Sequence, residues 1–205
     1  MLLALATGRL EQPGWDWLNA RGLAVGRRSG RRLLWTAQPS LEVALVRGRD
    51  IPALLERQAV DVAIVGRDVV EDSGIELSLT ESLGFGECRL VFATPQTWAP
   101  DRSQALRIAT RYGELTRRWA AAKGLQVEIV SLGGSVEVAP ALGLADAVVD
   151  IVETGATLRS NGLIEREVVL TSYAGLATRA GEEHRALALS SGFAAASELG
   201  RAGGA

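Results

Sequence analysis

Ala147-Val148-Val149-Asp150-Ile151-Val152-Glu153-Thr154-Gly155-Ala156-Thr157-Leu158 sets a mostly apolar run directly before a cluster of small and hydroxyl-bearing residues. The apolar part has the length of a buried strand, and the rest is a turn leading into a short helix that Gly162 stops. A strand feeding a helix in this way is the building unit of a parallel α/β sheet. Such a helix start presents unpaired backbone N–H groups carrying partial positive charge. Thr154 and Thr157 add hydroxyl donors, and Gly155 lets the backbone approach a ligand without a Cβ in the way. The whole suits a phosphate dianion. On residue types alone a plainer reading stands beside it, with Thr154 as an N-cap and Gly155 as a turn residue. Asp150 and Glu153 are ill matched to a phosphate but suited to ribose hydroxyls or a cationic sugar.

Outward from this stretch, apolar runs of strand length alternate with amphipathic segments. The pattern predicts strands at Leu2–Ala6, Leu41–Val46, Val62–Val65, Arg89–Ala93, Leu106–Ala109, Val127–Val130, Ala147–Val152 and Val168–Thr171, with a further apolar stretch at Tyr173–Ala177. Helices are expected from Pro13 to Ala20, from the Asp50 cap through Pro52 to about Gln58, over Thr116–Lys123, from a Ser135 cap through Leu142, and over Glu182–Leu199. The terminal Gly203-Gly204-Ala205 reads as a frayed end. The fold class is therefore α/β. With 205 residues a split into two lobes is expected, and the proline-flanked stretch Thr94–Ser103 is the natural crossing.

Composition narrows the function. Apolar residues make up 47% and charged ones 22%, as in ordinary globular proteins. Twenty-two basic against 24 acidic side chains give no field that favours nucleic acid or anionic lipid, so an anion must be captured locally. One cysteine, Cys88, rules out an internal disulfide, and one histidine, His184, rules out a multi-histidine metal centre. A Ser-His-Asp hydrolase would depend wholly on His184, which lies in a polar stretch at the start of the last helix. Cys88, inside an apolar strand, is expected to pack in the core. Trp15 and Trp17, two apart on a helix, cannot share a face, so at least one is expected to meet solvent or a partner. The apolar start Met1–Ala6 is too short for a signal peptide, and no uncharged run approaches the ~20 residues of a membrane span. A cytoplasmic protein is expected.

The stretch Glu137-Val-Ala-Pro-Ala-Leu-Gly143-Leu-Ala-Asp146-Ala-Val-Val-Asp150-Ile-Val-Glu-Thr154-Gly155-Ala-Thr157-Leu158 resembles, position by position, the signature of the ATP phosphoribosyltransferase family. Further similarity lies at Gly8-Arg9-Leu10, Leu45–Pro52, Asp61–Val69, Leu83–Leu90, Arg107–Tyr112 and Gly134–Glu137. Only about the last thirty residues match loosely.

The resemblance implies two α/β lobes like those of the type II periplasmic-binding fold, with an active-site cleft between them. Lobe I would hold residues 1–93 and 173–205, and lobe II residues 94–172 with the phosphoribosyl pyrophosphate loop. It implies that Thr154, Gly155, Ala156, Thr157 and Leu158 hold the donor's 5-phosphate, while Asp150 and Glu153 address the ribose as the catalytic carboxylates. Gly8, Arg9, Leu10, Arg47, Arg49, Asp68 and Glu137 would then address the nucleotide or its phosphates. Plainer roles remain open: surface solubility for the arginines, helix capping for Asp68, and a favourable helix-dipole contact for Glu137. Relatives usually carry Lys before the Gly-Arg pair, where this chain has Thr7.

The implied reaction joins N1 of ATP's adenine to the phosphoribosyl donor and expels pyrophosphate, the entry step of histidine biosynthesis. Mg²⁺ would be bound through the substrate phosphates, with no metal site of the protein's own. Since the sequence ends soon after its last predicted helix, it looks like the short form of the family. That form acts with a histidyl-tRNA-synthetase-like regulatory subunit in a hetero-octamer. Two alternatives carry the same fold: a non-catalytic small-molecule-binding module of the periplasmic type, and a phosphoribosyltransferase with another acceptor. Product formation from ATP, and failing that donor binding, would separate them.

Overall fold

The computed structural model describes residues 1–23, 33–99 and 104–191. The chain forms two units, Met1–Gly86 joined by the chain from Tyr173, and Glu87–Ser172.

The first unit is built on a sheet of strand order β2-β3-β1-β4-β11-β5. Its members are β1 (Leu2–Ala6), β2 (Leu34–Gln38), β3 (Leu41–Val46), β4 (Val62–Gly66), β5 (Leu77–Leu79) and β11 (Ala174–Arg179). β3, β1 and β4 run parallel, whereas β2, β11 and β5 pair antiparallel with their neighbours. Alternation along the strands sends successive side chains to opposite faces. Leu3, Leu5, Val43, Leu45, Val62, Ile64 and Leu176 face α1 (Glu11–Ala20) and α6 (Glu183–Ser190), while smaller Ala4, Ala6, Ala63 and Ala177 face α2 (Ile51–Glu56) and α3 (Arg67–Asp72). A sheet apolar on both faces is what the unbroken apolar runs foretell. Gly14 brings α1 close to β1, since a Cβ there would lie 2.4 Å from Leu5 Cδ1.

Both tryptophans of α1 are buried within this unit, against the expectation that at least one would meet solvent or a partner. Trp15 packs edge-on against Trp35 of β2 at 5.8 Å, and the Arg21 guanidinium lies 3.8 Å over the Trp17 ring. Each ring finds its own cover, one from a strand and one from the stem of a cation.

Arg179 ties the end of β11 to the rest of the unit. Its Nη1 donates to the carbonyls of Leu55 (2.7 Å) and Val60 (3.2 Å), and its Nη2 pairs with Glu182 at 2.5 Å. Arg179→Met keeps the apolar stem but removes this donor, leaving the Leu55 carbonyl with the Gln58 N–H at 3.0 Å and taking the guanidinium from the Val60 carbonyl. A part-buried acceptor that loses its donor costs about 1–3 kcal/mol, so a destabilisation of about 1–2 kcal/mol is expected in chemical denaturation.

The second unit has the order β10-β6-β9-β7-β8, from β6 (Cys88–Pro95), β7 (Leu106–Thr110), β8 (Val127–Ser131), β9 (Ala147–Val152) and β10 (Leu163–Ser172). β7, β8 and β9 are parallel, and β6 and β10 antiparallel. One face packs Leu90, Phe92, Ile108 and Val149 with Tyr112 and Leu115 from the region of α4 (Gly113–Ala122). The other packs Val91, Ala109, Val148 and Val152 with Val136, Ala139 and Leu158, the last from α5 (Ala156–Ser160).

Several boundaries differ from expectation. The outward crossing between units falls after Gly86, so residues 87–93 belong to the second unit, not the first. The prolines suggested a break too early in space and too late in sequence: β6 runs on through Pro95, opposite Leu163, because a missing N–H is tolerated in a strand's last residue. The return crossing falls between Ser172 and Tyr173. The helix expected from Ser135 through Leu142 is only a 3₁₀ turn, Val136–Val138. The cap residues Asp50 and Ser135 sit in position but make no side-chain cap bond. The expected last turns of the final helix and the frayed Gly203–Ala205 lie outside the described residues. Among the described residues no helix is long and apolar enough to cross a membrane.

Candidate active site

In the second unit the parallel strands deliver three segments to one edge of their sheet. Arg111 follows β7, the Gly133–Ser135 turn follows β8, and the Glu153–Thr157 loop follows β9. Ligands of open α/β sheets collect at this carboxyl edge. The loop turns sharply because Gly155 adopts the left-handed conformation, φ +73°. Leu158 is buried and anchors the loop to the core, while Thr154, Ala156 and Thr157 remain exposed. The Ala156 N–H lies 3.4 Å from the Thr154 hydroxyl, and the Arg159 guanidinium folds back to donate to the Thr154 carbonyl at 3.1 Å. Helix α5 has five residues, too few peptide dipoles to sum into a strong terminal field. Any phosphate here must therefore rest on local N–H and hydroxyl donors rather than on the helix dipole expected from the sequence.

Asp150 sits where β9 is about to leave the core. Its side chain is 12% exposed, and Arg111 Nε approaches its Oδ1 to 3.4 Å. Burial holds the Asp150 carboxyl above the ordinary carboxylate range. The Ile151 backbone N–H and Arg111 pull the other way, and half-buried Glu137 adds to the rise. Asp150 Oδ1 is itself buried and accepts no hydrogen bond among the described residues, and it faces the Arg111 guanidinium. Glu153, three residues on, is exposed. The structure thus groups Asp150 with Glu137, two residues assigned to different substrates on sequence grounds. It adds Arg111, which no sequence argument had given a role.

In the first unit the same construction recurs. Gly8–Leu10 follows β1, Gly48–Asp50 follows β3, and Asp68 lies just past β4 in α3, all at the carboxyl edge of the parallel strands. The Thr7 N–H donates to the Val46 carbonyl at 2.8 Å, which ties the first two turns together. Gly48 packs between Ala6 and Val69, which brings the third element alongside. Arg9 is exposed and donates to the Gly86 carbonyl at 2.7 Å, and Arg47 and Arg49 are also exposed. Leu10 and Asp68 are not. Leu10 packs in the core, and Asp68 is 2% exposed, with its Oδ1 lying 2.4 Å from where a Cβ on Gly66 would be. The N-cap of α3 is Gly66, so Asp68 is not the cap of its helix either.

The family model described as ATP phosphoribosyltransferase matches residues 47–191, a span covering both strand-edge clusters from Arg47 onward. The chain belongs to the ATP phosphoribosyltransferase family. ATP phosphoribosyltransferase from Pyrococcus furiosus is 41% identical over 167 residues, which span 80% of this chain and 81% of that protein. The enzyme from Burkholderia vietnamiensis is 38% identical over 179 residues, 83% of this chain and 82% of that protein. Among solved structures, the ATP phosphoribosyl transferase (HisG:HisZ) complex from Thermotoga maritima superposes with a TM-score of 0.79 at 27% identity, covering 97% of this chain and 94% of that chain. Arginine-bound Tv2483 gives a TM-score of 0.61 at 15% identity, covering 97% and 85%. That second likeness is of fold alone. It places ATP phosphoribosyltransferase among periplasmic-binding-type folds without transferring a ligand. Membership makes this chain a transferase of phosphoribosyl groups.

Proposed function

We propose that this chain forms the bond between N1 of ATP's adenine and C1 of phosphoribosyl pyrophosphate, the first step of histidine biosynthesis, with the second unit taking the donor. The observation that carries this assignment is the turn after β9, a left-handed glycine between exposed threonines, next to a carboxylate kept mostly out of water. In this reading the donor's 5-phosphate rests on the Thr154 and Thr157 hydroxyls and the N–H groups of Gly155, Ala156 and Thr157. Leu158 holds the loop in place from within the core.

As the C1–O bond to pyrophosphate breaks, its electron pair leaves with the pyrophosphate and positive charge develops on the sugar. The adenine N1 lone pair then forms the new bond. Asp150 and Glu153 supply negative charge beside that sugar, and Asp150 is the more effective because few water dipoles oppose it. No covalent nucleophile is needed, and orientation of the two reactants does the rest. Exposed Arg9, Arg47 and Arg49 offer guanidinium forks to triphosphate or pyrophosphate oxygens. In the same proposal Gly8 shapes the Arg9 turn, Leu10 and Asp68 brace the nucleotide-binding turns from beneath, and Glu137 meets the nucleotide close to Asp150.

Mg²⁺ fits as a cation carried on the diphosphate. The donor loop offers hydroxyl and N–H groups to phosphate, and among the described residues no three His, Cys, Asp or Glu side chains gather to hold a metal. When bound it would neutralise charge on the departing pyrophosphate. The proposal extends to a histidyl-tRNA-synthetase-like regulatory subunit in a hetero-octamer, supported by the HisG:HisZ composition of the Thermotoga relative. It also places the chain in the cytoplasm, where both substrates are made.

The test is an absorbance assay for N1-substituted adenine with ATP, phosphoribosyl pyrophosphate and Mg²⁺, run with and without the partner. Thr154→Ala with Thr157→Ala is expected to raise the donor's KM about 100-fold or more, by loss of two hydrogen bonds to a charged group, with a much smaller change in the KM for ATP. Unchanged donor kinetics would remove the phosphate from this loop.

A further inference from the structure

Arg111 and Asp150 lie 39 residues apart in sequence, yet the sheet sets them side by side. In the parallel β7–β9 pair, Thr110 is in register with Val149, so the next residues on each strand are Arg111 and Asp150. The turn carrying Arg111 is locked from both ends. The buried Thr110 hydroxyl donates to the Val149 carbonyl at 2.6 Å and accepts from the Tyr112 N–H at 2.9 Å. Thr116 then donates its own hydroxyl to the Tyr112 carbonyl at 2.6 Å, pinning the start of α4 beneath the turn. The Arg111 guanidinium stands 5.5 Å over the Tyr112 ring, with its Nε at 3.4 Å from Asp150 Oδ1. That distance is long for a hydrogen bond, so charge rather than a directed bond holds the pair.

We infer that Arg111 is the positioning residue for Asp150, holding that carboxylate ionised and aimed for the sugar cation of the proposed reaction. The surroundings leave Arg111 as the cation for the task. β6 places apolar Val91 opposite Asp150 in register, and the 3₁₀ turn Val136–Val138 brings Glu137, whose charge opposes ionisation. Burial opposes it most strongly, and the Ile151 N–H and Arg111 offset part of that rise. A guanidinium suits the role because it keeps its own charge at any working pH. Arg111 acts through Asp150, and the donor does not touch it.

The inference rests on the proposed reaction for its purpose but is tested apart from it. The Asp150 carboxyl is followed by ¹³C NMR across pH in the full chain labelled at aspartate, as wild type, Arg111→Met and Arg111→Lys. Arg111→Met should move the Asp150 midpoint upward by about one pH unit, the lower end of what a close opposite charge contributes, and Arg111→Lys should restore most of it. In the assay, the acid limb of kcat/KM should move upward with it in Arg111→Met, with activity partly regained at higher pH and the donor KM little changed there. An unmoved midpoint in Arg111→Met overturns the inference. So does an unmoved limb with the donor KM raised about tenfold at every pH, which would make Arg111 a direct ligand. If the wild type yields no phosphoribosyl product, the proposed reaction fails, and the NMR midpoints still decide whether Arg111 governs Asp150.

Discussion

Asp150→Asn is expected to lose activity by about 10²- to 10³-fold and, at neutral pH, to melt at a higher temperature than the wild type. The loss follows from removing a charge aimed at a developing cation in a site of low dielectric. The gain follows from the carboxyl's setting. Because burial raises the folded-state pKa above the unfolded value, the folded chain binds that proton more tightly. The resulting stability is fully present below the unfolded value and is lost as pH rises through the folded one. Above it, the ionised carboxylate is a liability that the amide removes. Arg111 is 36% exposed and can be solvated once its partner is neutral. A gain of about 1 kcal/mol corresponds to roughly 2–4 °C in a chain of this size. Calorimetry at neutral and at acid pH checks the sign: the gain should shrink in acid, where the wild-type group is already protonated. A variant that is both inactive and less stable at neutral pH would mean that the Asp150 charge serves the fold rather than the reaction.

Gly155→Ala is expected to reduce kcat/KM for the donor by about 100-fold while the chain still folds. The φ of +73° suits glycine, and an L side chain there costs about 1–2 kcal/mol. A Cβ would also lie 2.6 Å from Glu165 Oε1 and 2.8 Å from Arg159 Nη1. Both are the ends of flexible side chains, so they can swing aside. Doing so disturbs the Arg89–Glu165 pair at 2.8 Å and the Arg159 bond to the Thr154 carbonyl at 3.1 Å. Exposed contacts of this kind are each worth about 1 kcal/mol or less. Stability should therefore fall by about 1–3 kcal/mol, a modest effect. Displacement of a phosphate-holding loop by even an ångström has a larger kinetic effect. Steady-state kinetics against a denaturation curve separate the two, and a variant with wild-type donor kinetics would show that the loop's conformation is immaterial.

The parts of the fold that could be read from sequence are those where burial is symmetrical. β1, β3 and β9 are mostly apolar runs followed by polar residues, and their limits coincide with the expected ones. β2 and β5 escaped notice because edge strands alternate weakly: Leu34–Gln38 has one buried residue and Leu77–Leu79 has none. Pro95 misled because proline reads as punctuation, whereas at the end of a paired strand it costs little. In the candidate site, the strand–turn–helix form of the Glu153–Thr157 loop was legible because it is local in sequence. Arg111 was not, since its meaning comes from the register of β7 against β9, which no spacing reveals. Buried Asp68 and Leu10 show the converse: the family resemblance implied contact with the nucleotide, and both side chains are packed out of solvent.

The order of strands in the first sheet has a consequence for synthesis on the ribosome. β11 lies between β4 and β5, and among the described residues β5 pairs with β11 alone. Residues 87–172 form a continuous unit whose five strands are all available once Ser172 has emerged. The earlier-made Met1–Gly86 must wait with β4 open on one side until Arg179 follows. The strands of the inserted unit are thus all made before the first sheet has its full set, and until Arg179 emerges the apolar edge of β4 lacks the partner it has in the fold.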